Sequence, residues 1–170
     1  MMSREEGRKE QTRGKQSIQF SHAVHILSGA SIVGKKEGEG PLGKYFDVVG
    51  EEDGLFGCQC WEEAESVLQK EAVTMAIRKA KLEKWEIRTI YAGDLLAQTI
   101  ASSFGIIGFD IPVYGLYGAC ATMGEALSLS SMAVAAGYGN YVVAVTSSHY
   151  GSAEKEFRFP LGYGNQRPLS

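Results

Sequence analysis

The sequence predicts an α/β fold with a mostly parallel sheet, and three observations carry that prediction. Short apolar, β-prone runs alternate with helix-period segments from Trp61 to Thr146, the pattern of a layered α/β domain. The run Tyr141-Val142-Val143-Ala144-Val145-Thr146 is apolar on both faces, as a central parallel strand should be. The segment Met123 to Gly139, ahead of that run, contains no proline and is rich in Ala, Ser, Leu and Met, which suits a packed helix.

Taken in order, Met1 to Gln16 is densely charged and lacks an apolar stretch, and is expected to be a disordered tail rather than a secretory signal. Ile18 to Val33 is β-prone and mixed, with His22 and His25 inside it. Gly34 to Gly43 reads as a glycine-rich loop. From Trp61 to Ala80, Ala64, Leu68, Ala72, Met75 and Ala76 recur at helical spacing. Glu62, Glu63 and Glu65 open that helix, and Arg78, Lys79 and Lys81 close it, matching the helix dipole. Ile87 to Ala92 is a short strand ended by Gly93-Asp94, and Leu95 to Phe104 a second helix ending near Gly105. A strand over Ile111 to Leu116 leads into Cys120, and a long helix is expected from Met123 to Gly139. Tyr141 to Thr146 is the last strand, and beyond Ser147 no clear element is expected.

Composition narrows the function. At 170 residues the chain is long enough for one domain with a real core, and 44% hydrophobic with 22% charged residues is ordinary for a globular protein. A net charge of −3 and the lack of a basic stripe outside the tail give no footing for nucleic acid. Three cysteines cannot complete a disulfide framework, which favours a reducing compartment. No apolar run reaches the roughly 20 residues of a membrane span.

Several motifs invite chemistry. Gly38-Glu39-Gly40-Pro41-Leu42-Gly43 matches a dinucleotide fingerprint in letters, but its proline and the weak helix after it favour a plain loop. Cys58-Gln59-Cys60 lacks the C-x₂-C spacing and second pair of a zinc site, so no metal is expected. Asp94 could place a carboxylate in a cleft, although capping the next helix is slightly favoured. His149 could carry a proton or be a polar loop residue. In parallel sheets ligands bind beyond the carboxyl ends of the strands, and Asp94, Cys120 and His149 all follow such ends. Cys120 stands out among them. A structural cysteine on a helix flank is the default. Against that default, Gly118 allows close approach, Ala119, Ala121 and Gly124 keep the surroundings small, and Thr122 adds a hydroxyl. A helix mouth favours thiolate and bound anions.

A cysteine at the mouth of an Ala/Ser-rich helix resembles the thiolase and ketoacyl-synthase superfamily. Further stretches resemble its stage V sporulation protein AD family: Gly40-Pro41-Leu42-Gly43, Ala92-Gly93-Asp94-Leu95-Leu96-Ala97-Gln98, Gly118-Ala119-Cys120, Thr146-Ser147-Ser148-His149, Phe157-Arg158-Phe159-Pro160 and Tyr163-Gly164. The resemblance runs from about residue 15 to the C-terminus. It implies a thiolase-like fold, of which this chain is the N-terminal βαβαβα(β) half of a five-layered αβαβα arrangement. Residues 17–170 would form that half-domain, incomplete at its C-terminus, with the second half and its His and Asn or Cys partners absent. A lone half would expose apolar surface.

The resemblance also implies a binding protein rather than a synthase. Its ligand would be pyridine-2,6-dicarboxylic (dipicolinic) acid, moved into the developing spore with membrane proteins encoded alongside it. The chain would then sit peripherally at the cytoplasmic face of the forespore inner membrane, without a cofactor; a homodimer is compatible with this. The residues expected to line the pocket are Asp94, Tyr117, Cys120, Thr122 and His149. Helix N-termini, backbone N–H groups, hydroxyls and an aromatic face suit a flat aromatic dianion. The alternative is an acyl-transferring or condensing enzyme with Cys120 as nucleophile and His149 as its base. A third reading is a fragment without function.

Overall fold

The computed structural model describes residues 12–50 and 54–157. Part of the expected tail, residues 1–11, and the sequence from Arg158 onward, with its Phe159-Pro160 and Tyr163-Gly164 motifs, lie outside the described residues. At the end of the stretch read as a tail, β1 (Thr12–Arg13) pairs antiparallel with β2 (Ser17–Ile18), just beyond it, as a small hairpin turned at Gly14.

The β-prone stretch that follows is mostly irregular and contributes only β3 (Ile32–Val33). This strand pairs in parallel with β4 (Val48–Val49). The expected glycine loop between them holds one helical turn, α1 (Lys35–Gly38), and a 3-10 turn over Gly43–Tyr45. The GEGPLG motif therefore follows a helical turn instead of opening one, which is the wrong geometry for a phosphate cradle. Asp47 fastens this unit. Its carboxylate accepts from Ser31 N–H at 2.9 Å and pairs with Lys79 Nζ at 2.9 Å.

The longest helix is α2 (Trp61–Lys79), as its periodicity requires. The stripe expected to be its core face is only partly so. Ala64 is buried, but Leu68, Ala72, Met75 and Ala76 are half-exposed. The buried face instead carries Glu65, Gln69, Val73 and Ile77, each one turn beyond the last.

The main sheet contains β5 (Ile87–Gly93), β6 (Val113–Leu116) and β7 (Tyr141–Thr146), all parallel, in the order β6-β5-β7. Among the described strands β5, not β7, is central, so the apolar composition of β7 does not mark the middle of the sheet. Ile90 and Ala92 lie beside Val143 and Val145, and this face packs on Val73 and Ile77 of α2 and on Ile106 and Phe109.

The helix after β5 is shorter than expected. Gln98 (φ 58°) and Thr99 (φ 50°) are left-handed, so a 3-10 turn over Ala97–Thr99 precedes α3 (Ile100–Ile106). Gly105 of α3 lets the helix approach α2 closely, since a Cβ there would lie 2.7 Å from the Ser66 carbonyl oxygen.

The other face of the sheet is covered by α4 (Thr122–Ala135), which turns Thr122, Ala126, Ser130 and Ala133 inward. Its outer side exposes Met123, Leu127 and Met132. The result is three layers: α2 and α3, the sheet, and α4. This is an α/β architecture with mostly parallel sheets, consistent with a partial thiolase-like fold. A further element was not anticipated. Where the sequence shows no clear pattern, Tyr150–Phe157 forms α5. Its start is fixed by Gly151 against the Trp61 ring, where a Cβ would come within 2.5 Å of the indole.

Candidate functional site

Parallel pairing brings the three loops that follow β5, β6 and β7 to one edge of the sheet. Asp94 follows β5, Tyr117 and Cys120 follow β6, and His149 follows β7. The predicted residues therefore share an edge, but they play two different parts.

Asp94 and Thr122 face inward, each 1% exposed. Asp94 Oδ1 accepts from Leu96 N–H at 2.8 Å, and Oδ2 from Ser102 N–H at 2.7 Å and Ser102 Oγ at 2.6 Å. The N-cap position of α3 is Thr99, so Asp94 is not the cap residue expected of it; its carboxylate instead ties Leu96 and Ser102 across the turn. Thr122 Oγ1 donates to the Ala119 carbonyl at 2.8 Å and accepts from Gly118 N–H at 3.1 Å. Its methyl presses on the strand end, for a Cβ on Gly93 would sit 2.3 Å from Thr122 Cγ2. Both side chains build the walls of the edge.

Tyr117 and Cys120 are exposed. Cys120 lies in a 3-10 turn, Ala119–Ala121, that leads directly into α4. Ala119 in that turn has a left-handed backbone (φ 48°), an uncommon state for a residue with a Cβ. Tyr117 Oη reaches across to the Leu95 carbonyl at 3.4 Å, linking the β6 loop to the β5 loop.

His149 is half-buried and both its ring nitrogens are engaged. Nδ1 accepts from Gly151 N–H at 3.1 Å, so Nε2 carries the hydrogen and donates to the Gly54 carbonyl oxygen. These partners select the neutral Nε2–H tautomer.

Beneath these loops lies a polar network that the sequence did not reveal. Glu65 is fully buried, and accepts from Ser147 Oγ at 2.8 Å and Ser152 Oγ at 2.6 Å. Gln69 Nε2 places its two hydrogens among three acceptors within reach, Ser147 Oγ at 3.1 Å, Ser102 Oγ at 3.1 Å and the Gly93 carbonyl at 3.2 Å. Gln69 Oε1 is buried without a partner among the described residues. The available signal was the four-residue ridge Glu65, Gln69, Val73, Ile77, whose last two members are plainly apolar.

Cys58, Cys60 and Cys120 are free thiols, and no group of three or more His, Cys, Asp or Glu residues could hold a metal among the described residues. No helix among them is long and apolar enough to cross a membrane. A shallow cleft of about 430 Å³ lies at the opposite end of the sheet, lined by Trp85, Arg88, Asn140 and Tyr141 among others, and holds none of the predicted residues.

The layered fold, with its mostly parallel strands and a cysteine beside the start of α4, defines the chain as an α/β protein consistent with a partial thiolase-like fold. The particular family follows from comparison. Residues 14–170 match the family model of stage V sporulation protein AD. The chain is 38% identical over 157 residues to the stage V sporulation protein AD of Bacillus subtilis (strain 168), across 91% of this chain and 46% of that protein. The chain belongs to the stage V sporulation protein AD family, and it spans about half the length of the curated relative it matches.

Proposed function

We propose that this chain binds dipicolinic acid at the C-terminal edge of its sheet and assists uptake of that acid into the developing spore. Family membership carries this reading, because the resemblance to that family implies this ligand. The loop after β6 supports it: Tyr117 offers an aromatic face, and Cys120 a thiol beside the start of α4. In this reading Tyr117, Cys120 and His149 contact the ligand, while Asp94 and Thr122 hold the loops that present them. Membrane proteins encoded alongside it are the proposed partners, at the forespore inner membrane.

Binding is favoured over catalysis by His149. A base that activates Cys120 needs a free ring nitrogen, and both are committed to Gly54 and Gly151. Exposure of Cys120 keeps an acyl-transfer enzyme as the second reading. Calorimetric titration with dipicolinate should give saturable heat, and dipicolinate should slow alkylation of Cys120 by iodoacetamide. Absence of any saturable heat would sink the proposal. A burst of acylation from an acyl-CoA, lost in Cys120→Ala, would establish the enzyme instead.

A further inference from the structure

Glu65 has a peculiar position. It is fully buried, and its partners among the described residues are hydroxyl groups, with no cation. The proton directions along the path from Glu65 to Asp94 are consistent. Ser147 gives its proton to Glu65, which leaves its oxygen to accept from Gln69 Nε2. Ser102 gives its proton to Asp94, which leaves its oxygen to accept from the same Gln69 amide. The chain Glu65–Ser147–Gln69–Ser102–Asp94 therefore runs unbroken from α2 to the β7 loop and back to the β5 loop. Its two ends are the carboxyl groups of Glu65 and Asp94, each accepting from a serine hydroxyl.

Packing alone does not call for this arrangement. The next two residues on the same ridge, Val73 and Ile77, are buried in the apolar core. Buried polar groups are costly, and apolar residues of similar volume often stabilise a fold as well or better. What directional bonds add is a single relative placement of the parts they join.

We propose that Glu65 is a positioning residue of the strand-end site: acting through Ser147 and Gln69, it locks the turn carrying His149 to the turn built on Asp94. The role rests on the reading that this edge is where the ligand binds. Ser152 in the first turn of α5 adds a second hold, its one proton lying between Glu65 Oε2 at 2.6 Å and the His149 carbonyl at 2.9 Å. Two walls of the site are thereby set as one unit.

The test uses the 170-residue chain carrying Glu65→Gln and, as a smaller change, Ser147→Ala. Glu65→Gln replaces one acceptor oxygen by a donor, and Ser147→Ala removes the joint of the network. Residue-resolved amide hydrogen exchange is measured alongside calorimetric titration with dipicolinate. The amides of Leu96 and Ser102, held by Asp94 at the far end, should exchange about tenfold faster in both variants. Amides of Ala126 and Ala133 in α4 should keep their rates, and dipicolinate affinity should fall about tenfold.

Unchanged exchange at Leu96 and Ser102, or uniform acceleration across the chain, would overturn the lock. A localised exchange change with undiminished affinity would overturn the positioning role. If Glu65→Gln does not fold, Ser147→Ala decides by the same criteria. If the unaltered chain takes up no dipicolinate, the binding proposal fails by itself, and the exchange pattern still decides whether the lock exists.

Discussion

Substituting Gly93 by alanine tests the seat of α4 on the sheet. The added Cβ would lie 2.3 Å from Thr122 Cγ2 and 2.5 Å from the Leu116 carbonyl oxygen. Both distances fall about 1 Å short of ordinary contact, near 3.5 Å. The methyl of Thr122 can yield by a shift of α4. The Leu116 carbonyl cannot easily yield, because Gly93 and Leu116 are register partners in the β5–β6 ladder. Overpacking of this kind costs about 3 kcal/mol, the upper part of the usual range, since one of the two obstacles is backbone. For a chain of this length that lowers Tm by roughly 6–12 °C, read by circular dichroism or calorimetry. Adding Thr122→Ser removes Cγ2 but keeps the hydroxyl that holds Gly118 and Ala119, so about a third of the loss should return in a double-mutant cycle. A Gly93→Ala protein melting within about 2 °C of the parent would refute the close approach of α4 to the strand end.

Three further outcomes follow from the same structure. Ser130 Oγ is buried on the inner side of α4 with no partner among the described residues, so Ser130→Ala should stabilise by up to about 1 kcal/mol, and a lower midpoint in urea would contradict this. The Lys79 ammonium beside Asp47, with the Ser31 N–H, holds that carboxyl below its ordinary 3.8. A depressed carboxyl contributes stability above its unfolded pKa and loses it as pH falls through the folded one, so the parent's advantage over Lys79→Met should be constant above about pH 4 and shrink below it. A constant difference down to pH 2 would exclude the pair as its source. Thr99 carries a β-branched side chain at φ 50°, so Thr99→Gly should raise stability by up to about 1 kcal/mol, and a loss in thermal unfolding would show the side chain to be needed.

The sequence was most legible where periodicity is strong and uninterrupted. α2, β5 and β7 appear within one or two residues of their expected bounds, because charged ends, apolar runs and flanking glycines all agree there. The second helix was misjudged at its start, because Gln98 and Thr99 adopt a conformation that neither residue type announces. α5 escaped because its first turn owes its place to Gly151 resting on a tryptophan ninety residues earlier in the chain, a tertiary contact with no local signature. The edge that brings Asp94, Cys120 and His149 together was visible, since parallel strands send successive loops to the same end. The division of the five predicted residues into the buried Asp94 and Thr122, the exposed Tyr117 and Cys120, and the half-buried His149 was not. Nor was the buried face of α2 visible, because a glutamate and a glutamine at core positions read as solvent-exposed residues until their hydroxyl partners are known.

The turn around Asp94 is under tension. Between Leu96 and Ser102, both tied to its carboxylate, the chain passes through two successive left-handed residues, Gln98 and Thr99. Each costs on the order of 1–3 kcal/mol that a relaxed turn would not require. The three bonds to Asp94 hold the chain in that shape as a clasp holds a bent spring. The segment from Leu96 to Ala101 is thus loaded, not slack, and weakening the clasp returns elastic energy to the coil.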